Sequence, residues 1–220
     1  MTTLLLKKFD IKTFQTDLAQ NIFIIGRRET GRSVLIRDLL YNYQKKDNTH
    51  GTIITQPYEK KNYSESIPNS SILEQYEPSI LENVLKSLKP PVSNSFLVLD
   101  NCMYDTSWTR DKFMRMIIIN GRICKLMLIM SMSYPLGIPP LIKTNFDYVF
   151  LFIEKNMSNK KRIWENYTFD IFSSFEMFCT VFDNAIMEEY NILVIKNTKE
   201  QCEFCDKIFW YKAEIHNFFT

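Results

Sequence analysis

Glycine is scarce in this chain, five among 220 residues against seventeen Phe and eleven Tyr, a bias that fits AT-rich coding and carries nothing about mechanism. Charge of one sign is not in excess either. The 27 basic residues meet 25 acidic ones for a net charge of +2, so composition announces no nucleic-acid partner, and any DNA surface must be local or built by oligomerisation. No basic stretch followed by an apolar core opens the sequence, so secretion is not expected and the chain reads as intracellular. No uncharged run reaches the roughly 20 residues of a spanning helix. Residues 126–142 come nearest, but Pro135, Gly137, Pro139 and Pro140 interrupt them, and they read as a strand with its exit loop. Membrane association is not expected. Five cysteines, an odd number, exclude a simple disulfide framework. Cys202-Glu203-Phe204-Cys205 is a lone C-x-x-C, and even with His216 it does not complete a tetrahedral zinc set. Repeats and low-complexity linkers are absent as well, so 1–220 reads as a single domain with one continuous core.

What is present alternates. Apolar runs at Asn21–Ile25, Gly51–Thr55, Phe96–Asp100, Lys125–Ser131 and Tyr148–Ile153 have the near-continuous hydrophobicity of strands buried on both faces. Helical patterns intervene: an amphipathic helix beginning Ser33–Leu40, then Ser79–Leu88, Thr109–Ile119 and Asn159–Tyr167. Ile192–Ile195 and Ile208–Tyr211 read as two closing strands of an edge hairpin, the segment between them opening with the polar turn Asn197-Thr198-Lys199-Glu200. Tyr58 to Ser70 and Pro90-Pro91 read as mobile connections. Trp164, Phe172, Phe175, Phe178 and Phe182 recur at partly helical spacing and are expected in the core. The sum is an α/β organisation with a mainly parallel sheet.

Gly26-Arg27-Arg28-Glu29-Thr30-Gly31-Arg32-Ser33 has the frame G-x-x-x-x-G-K-[ST], with Arg32 in the lysine position. Strand before and helix after are the context in which backbone N–H groups and a helix N-terminus cradle phosphates, a lysine reaches the outer ones, and a Ser/Thr hydroxyl holds Mg²⁺. Gly26, Gly31 and Ser33 fit that role. Arg32 keeps the charge but in a larger, planar, forked group, and Glu29 brings a carboxylate near the phosphates. A βα turn that happens to contain two glycines is the plain alternative. Phe96-Leu97-Val98-Leu99-Asp100-Asn101 supplies the second feature, a hydrophobic strand ending in an acid that can accompany Mg²⁺. Asn101 can bond water but cannot take its proton.

The order of Gly26–Ser33, Leu97–Asp105, Asn120-Gly121-Arg122, Tyr134-Pro135-Leu136-Gly137-Ile138-Pro139-Pro140, Ser158–Ile163 and Phe209–Ala213 resembles the genome-packaging ATPases of large nucleocytoplasmic DNA viruses, which belong to the FtsK–HerA superfamily. The resemblance spans about Phe9 to Phe218. It implies a P-loop NTPase of RecA/FtsK–HerA type: a three-layer fold with a mainly parallel central sheet and a C-terminal edge hairpin. It further implies a ring-forming motor, homo-oligomeric or built with related ATPase subunits, that couples ATP hydrolysis to moving double-stranded DNA into a capsid. The chain would then work beside a viral capsid component, in the host cytoplasm at a virus factory or in the virion. Gly26, Arg28, Glu29, Thr30, Gly31, Arg32 and Ser33 would contact ATP, and Ser33 and Asp100 would hold Mg²⁺. Asp100, Asn101 and Ser133 would face the reacting phosphate, and Arg122, with Arg162 second, would serve a neighbouring subunit's nucleotide.

The family has glycine at Glu29, lysine at Arg32, an acid at Asn101 and glutamine at Ser133. Losing a general base lowers a rate by about 10²- to 10⁴-fold, so residual hydrolysis is expected. A catalytically degenerate paralogue that binds nucleotide as a scaffold or regulatory subunit is the alternative. A small-molecule kinase is the weakest reading, since Ser158–Arg162 is the only lid-like basic cluster. For DNA, the candidate basic positions are Lys60 with Lys61, Lys86 with Lys89, Lys155, and Lys160-Lys161-Arg162.

Overall fold

Side chains along Asn21–Ile25 point alternately to two faces, and all five positions are buried, which requires a layer on each side of the strand. The computed structural model describes residues 6–15, 19–44, 49–64, 67, 70–88, 94–103, 106–134, 137–168, 170–197 and 203–216. Lys89, Pro90-Pro91, Tyr104-Asp105, Pro135-Leu136, Thr198–Glu200, Cys202 and Phe218, all named above, lie outside them.

The described strands are β1 (Lys7–Lys8), β2 (Asn21–Ile25), β3 (His50–Thr55), β4 (Ser70–Leu73), β5 (Ser95–Asp100), β6 (Leu126–Met132), β7 (Tyr148–Leu151), β8 (Asn191–Lys196) and β9 (Ile208–Lys212). They form one sheet in the order β1-β9-β8-β7-β2-β6-β5-β3-β4, in which β8 alone runs against the rest. The helices are α1 (Arg32–Gln44), α2 (Lys61–Ser64), α3 (Pro78–Ser87), α4 (Lys112–Asn120), α5 (Pro140–Lys143), α6 (Met157–Ile163) and α7 (Phe175–Ala185). On one face, Ile22, Ile24, Val98 and Ile129 pack with Leu35, Ile36, Leu39 and Leu40 of α1. On the other, Phe23, Leu97, Leu99 and Met130 pack with Leu81 of α3, Ile117 of α4 and Phe178 of α7. This is the three-layer α/β architecture expected, and its strands fall where the apolar runs placed them. Phe172, Phe178 and Phe182 are buried, with Trp164 and Phe175 packed against them.

Several elements differ from expectation. The helix read from Thr109 starts at Lys112 because Asp111 Oδ1 accepts from the N–H groups of Phe113 and Met114 and fixes the N-cap there. The helix read over Asn159–Tyr167 is α6 followed by a π-turn at Trp164–Thr168. The β8–β9 pair is antiparallel as read, but β1 lies outside β9. Tyr58 to Ser70 is not a bare connection. It carries α2 and most of a 3₁₀ turn at Pro57–Glu59, and Tyr63 is fully buried. Elements of three or four residues are too short to show a period.

Helix α1 is not amphipathic, because both its faces are covered and Asp38 and Asn42 are buried with the apolar residues. Asp38 is satisfied by the chain's C-terminal segment. Its Oδ2 accepts from the Tyr211 phenol at 2.5 Å and from the Glu214 N–H at 3.0 Å, and its Oδ1 lies 2.6 Å from His216 Nε2. The His216 ring stacks on Tyr41 at 3.8 Å.

Candidate functional site

Strand β2 delivers the chain into the glycine loop at the C-terminal edge of the sheet. Gly26 donates to Met132 O at 3.1 Å, and a Cβ at this position would lie 2.8 Å from that of Phe152, so only glycine passes. The Thr30 hydroxyl ties the loop to Arg27 O at 2.8 Å, and the loop turns through left-handed backbone at Glu29 (φ 63°) and Gly31 (φ 101°). Glycine tolerates that region and glutamate does not, so the Glu29 substitution stores strain of about 1 kcal/mol or more. Arg28 leaves the loop to lie over the Tyr58 ring at 5.4 Å, and Arg27 pairs with Glu154 at 2.9 Å. Gly31 O accepts from Leu35 N, the first turn of α1.

Asp100 closes β5, whose register sets it beside Ser131 of β6 and Thr55 of β3. It is fully buried, and its Oδ2 accepts a 2.6 Å hydrogen bond from Tyr63. Burial, then the charge of Asp100, holds the Tyr63 phenol well above its ordinary range. Ser33, on the loop, bears on the same phenol and counters part of its rise. The Cys102 thiol, buried next to Asp100, is pushed up to about 12 and stays protonated.

Arg32 is buried with its guanidinium turned to the sheet, donating from Nη1 to Ser131 Oγ at 3.1 Å while Nη2 lies 4.0 Å from Glu59 Oε1. Glu59 completes the group. Burial, then the charge and hydrogen bond of Asp100, raises its carboxyl to about 7 against the opposing pull of Arg32 and Arg28. Two buried acidic oxygens, Glu59 Oε2 and Asp100 Oδ1, receive no N–H or hydroxyl donor, leaving only the proton that the raised Glu59 carboxyl shares with Asp100. A buried carboxylate oxygen that no N–H or hydroxyl donor reaches suits a divalent cation, so Asp100 fits the Mg²⁺ that the resemblance implies, with the Ser33 hydroxyl on the loop as the second ligand it would need.

Asn101 and Ser133 meet at the adjoining rim. Asn101 sits in left-handed backbone (φ 51°), its carbonyl accepts from Gln56 Nε2 at 2.8 Å, and its Oδ1 accepts from Ser133 Oγ at 3.1 Å. Arg122 is not with them. It stands just before β6, at the opposite edge of the sheet, where its Nη2 pairs with Asp147 at 2.8 Å and Asp147 in turn caps the start of β2 through Asn21 N. Arg162 lies over Tyr134, next to Ser133, on the rim that carries the loop. Of the basic positions, Lys160 is excluded as a solvent-facing contact, being buried against Phe182 and paired with Asp183 at 2.5 Å. Lys60 and Lys86 pair with Glu74 and Glu82, while Lys61, Lys155 and Lys161 are exposed.

The structure sets Gly26–Ser33, Asp100, Asn101 and Ser133 along one edge of the sheet, and beside them Glu59, Tyr63 and Gln56, which the sequence reading did not single out. A buried-strand end followed by Gln-Pro-Tyr-Glu was the available signal: a strand beside β5 must deposit its next few residues beside Asp100. Among the described residues, no helix is long and apolar enough to cross a membrane.

No family model matches the chain. It is 31% identical over 201 residues to the uncharacterized protein 088R of Invertebrate iridescent virus 3, covering 89% of this chain and 76% of that one. It is 30% identical to 075L of Invertebrate iridescent virus 6, covering 91% and 80%, and 29% identical to L437 of Acanthamoeba polyphaga mimivirus, covering 97% and 78%. Among solved structures, B204, the DNA-packaging ATPase from Sulfolobus Turreted Icosahedral Virus, superposes with a TM-score of 0.67 at 16% identity, covering 91% of this chain and all of that one. The genome-packaging NTPase B204 of Sulfolobus turreted icosahedral virus 2, solved with ATP-γS, gives a TM-score of 0.64 at 14% identity over 89% and 98%. The fold is therefore shared with these proteins.

Proposed function

We propose that this chain, which belongs to the family of 088R and 075L of the invertebrate iridescent viruses and shares the fold of the B204 genome-packaging ATPases, binds ATP at Gly26–Ser33 and hydrolyses it slowly as a subunit of a motor that moves double-stranded DNA into a capsid. One observation carries this reading: Arg32, Glu59 and Asp100 converge behind the loop that bears Ser33, with two buried acidic oxygens that no N–H or hydroxyl donor reaches. Loop N–H groups bind the phosphates, and Ser33 and Asp100 hold Mg²⁺, which when bound neutralises charge on the β- and γ-phosphates. Glu59 stands in for the acid missing at 101. Its carboxylate takes the proton of a water whose oxygen bonds to the γ-phosphorus, and the bond from that phosphorus to the bridging oxygen breaks, releasing ADP and phosphate.

Turnover is slow because Arg32 is engaged by Ser131 and by Glu59, and must leave both before it can reach a γ-phosphate and before Glu59 is free. Asn101 and Ser133 satisfy each other and leave no sensor of glutamine's length. Arg122 can act on a neighbouring subunit only by leaving Asp147, which favours Arg162 as the residue supplied in trans within a ring of identical or related subunits. DNA contact is assigned to the exposed Lys155 and Lys161; neutralising both should weaken binding equally across sequences and flatten its salt dependence. The capsid-docking surface carries no residue assignment.

ATP hydrolysis by the purified chain, with and without double-stranded DNA and against Asp100→Ala, tests the proposal. DNA-stimulated turnover lost in that variant supports a motor. Turnover no higher than that of Asp100→Ala favours the second reading, a nucleotide-binding scaffold or regulatory subunit, which the burial of Arg32 supports. In that case Arg32→Lys combined with Asn101→Asp should restore hydrolysis.

A further inference from the structure

A cavity of about 280 Å³ lies at the edge of the sheet away from the glycine loop, where β7 begins and β8 ends. Buried Val149 and Ile195 line its floor, and the π-turn Trp164–Thr168 supplies a wall through Asn166, Tyr167 and Thr168. Such a turn interrupts the regular helix ladder and is found most often at functional sites. Here side chains hold it: Asn166 Nδ2 donates to Arg162 O at 2.7 Å, and Thr168 Oγ1 to Trp164 O at 3.2 Å. With its amide nitrogen so committed, Asn166 offers Oδ1 to Lys143 Nζ, which also lies 5.6 Å from the centre of the Tyr167 ring.

Lys143, Lys196 and Lys207 all line this space, and among the described residues no arginine does. The β8–β9 pairing brings the last two together, Lys196 N donating to Lys207 O at 2.8 Å. Glu165 and Asp170 stand at the exposed rim, and among the described residues neither is ion-paired with these lysines. The Tyr167 hydroxyl is buried and has no hydrogen-bond partner, a costly arrangement that calls for a water, an ion or a ligand. Burial holds this phenol above its ordinary range, so it keeps its proton and can donate. Burial also pulls the Lys143 ammonium below its ordinary range, the response of a cation that lacks a counter-charge.

We propose that this cavity binds a small phosphate monoester, its phosphate among Lys143, Lys196, Lys207 and the Tyr167 hydroxyl and its organic part against Val149 and Ile195. Lysine recognises phosphate as a point charge, whereas a planar carboxylate is matched best by the fork of arginine, so an arginine-free set of lysines favours the tetrahedral anion. The space exceeds what a bare phosphate fills, and its floor is apolar, which leaves room for the ester group. The site is independent of the reading of Gly26–Ser33.

Calorimetric titration of the full chain with phenyl phosphate, and with benzoate as the carboxylate control, tests this. Both are run with and without saturating AMPPCP and magnesium, because the glycine loop would also take a phosphate. With AMPPCP present, one equivalent of phenyl phosphate should bind, about tenfold or more tighter than benzoate. Lys196→Ala combined with Lys207→Ala should weaken it by about tenfold or more. Tyr167→Phe should weaken it by about tenfold while the free chain melts at the same temperature or higher, since an unsatisfied hydroxyl is gone. A hydroxyl with only a structural role would lower melting and leave binding alone. Absence of phenyl phosphate binding at millimolar concentration, its loss once AMPPCP is present, equal affinity for benzoate, or affinity indifferent to both variants overturns the site. Phenyl phosphate bound as expected by a chain that does not bind AMPPCP would remove the glycine-loop reading and leave this one standing.

Discussion

The Tyr63 phenol donates a 2.6 Å hydrogen bond to Asp100 Oδ2, and neither side chain is exposed to solvent. The tyrosine therefore fixes which oxygen of the strand-end acid is occupied and which is free. Oδ1 receives no N–H or hydroxyl donor.

Removing that hydroxyl orphans a second buried carboxylate oxygen, a loss of about 1–3 kcal/mol. Tyr63→Phe should accordingly lower unfolding stability by that amount in a urea titration, with the slope unchanged. A variant as stable as the parent would mean that water reaches Asp100 from the other side.

With Glu59 as the proposed base, Glu59→Gln should reduce ATP turnover by about 10²- to 10⁴-fold. Nucleotide affinity should stay within a few-fold of wild type, because the loop and Ser33 are untouched. Equal turnover in the two proteins would return the search for a base to Asn101 and its neighbours.

The same residue sets a pH dependence in the ligand-free chain. Its carboxyl titrates near 7 in the fold against 4.5 ordinarily, so the unfolded chain loses its proton first. Stability is unaffected below about 4.5, falls as pH rises, and reaches its full deficit above about 7. With allowance for solvent screening, the deficit is about 1 kcal/mol, or roughly 2–4 °C for a domain of this size. Melting curves from pH 4 to 9 should show Glu59→Gln pulling ahead across that window. Parallel profiles would contradict the assignment.

Glu29 occupies left-handed backbone in the loop. Glu29→Gly should relieve about 1 kcal/mol of strain, partly offset by the greater freedom of glycine in the unfolded chain. A small rise in melting temperature, accompanied by tighter ATP binding as a carboxylate leaves the phosphates, is the expected pair of results. A fall in both would show that the carboxylate has a partner in the bound state.

The central strands could be read because strands buried on both faces must be apolar throughout, and Asp100 could be read because an acid after such a run has few other reasons to be there. Ser33 and Gly31 followed from the spacing of the loop. Glu59 and Tyr63 could not be found this way: they lie in elements of three and four residues, and it is the pairing of β3 with β5 that carries them to Asp100. Lys160 was misread for the opposite reason, since a basic triplet on a helix looks solvated until Asp183, 23 residues away, is seen to bind it. Asp38 broke the pattern expected of α1 because its partners come from the far end of the chain.

That attachment has a mechanical meaning. Helix α1 is anchored at its start by the loop and along its back by Tyr211, Glu214 and His216, so tension applied to the C-terminal segment is transmitted to the element that carries Arg32 and Ser33. Displacing this segment would leave the Asp38 carboxylate buried without its phenol and backbone donors, along the back of the same helix.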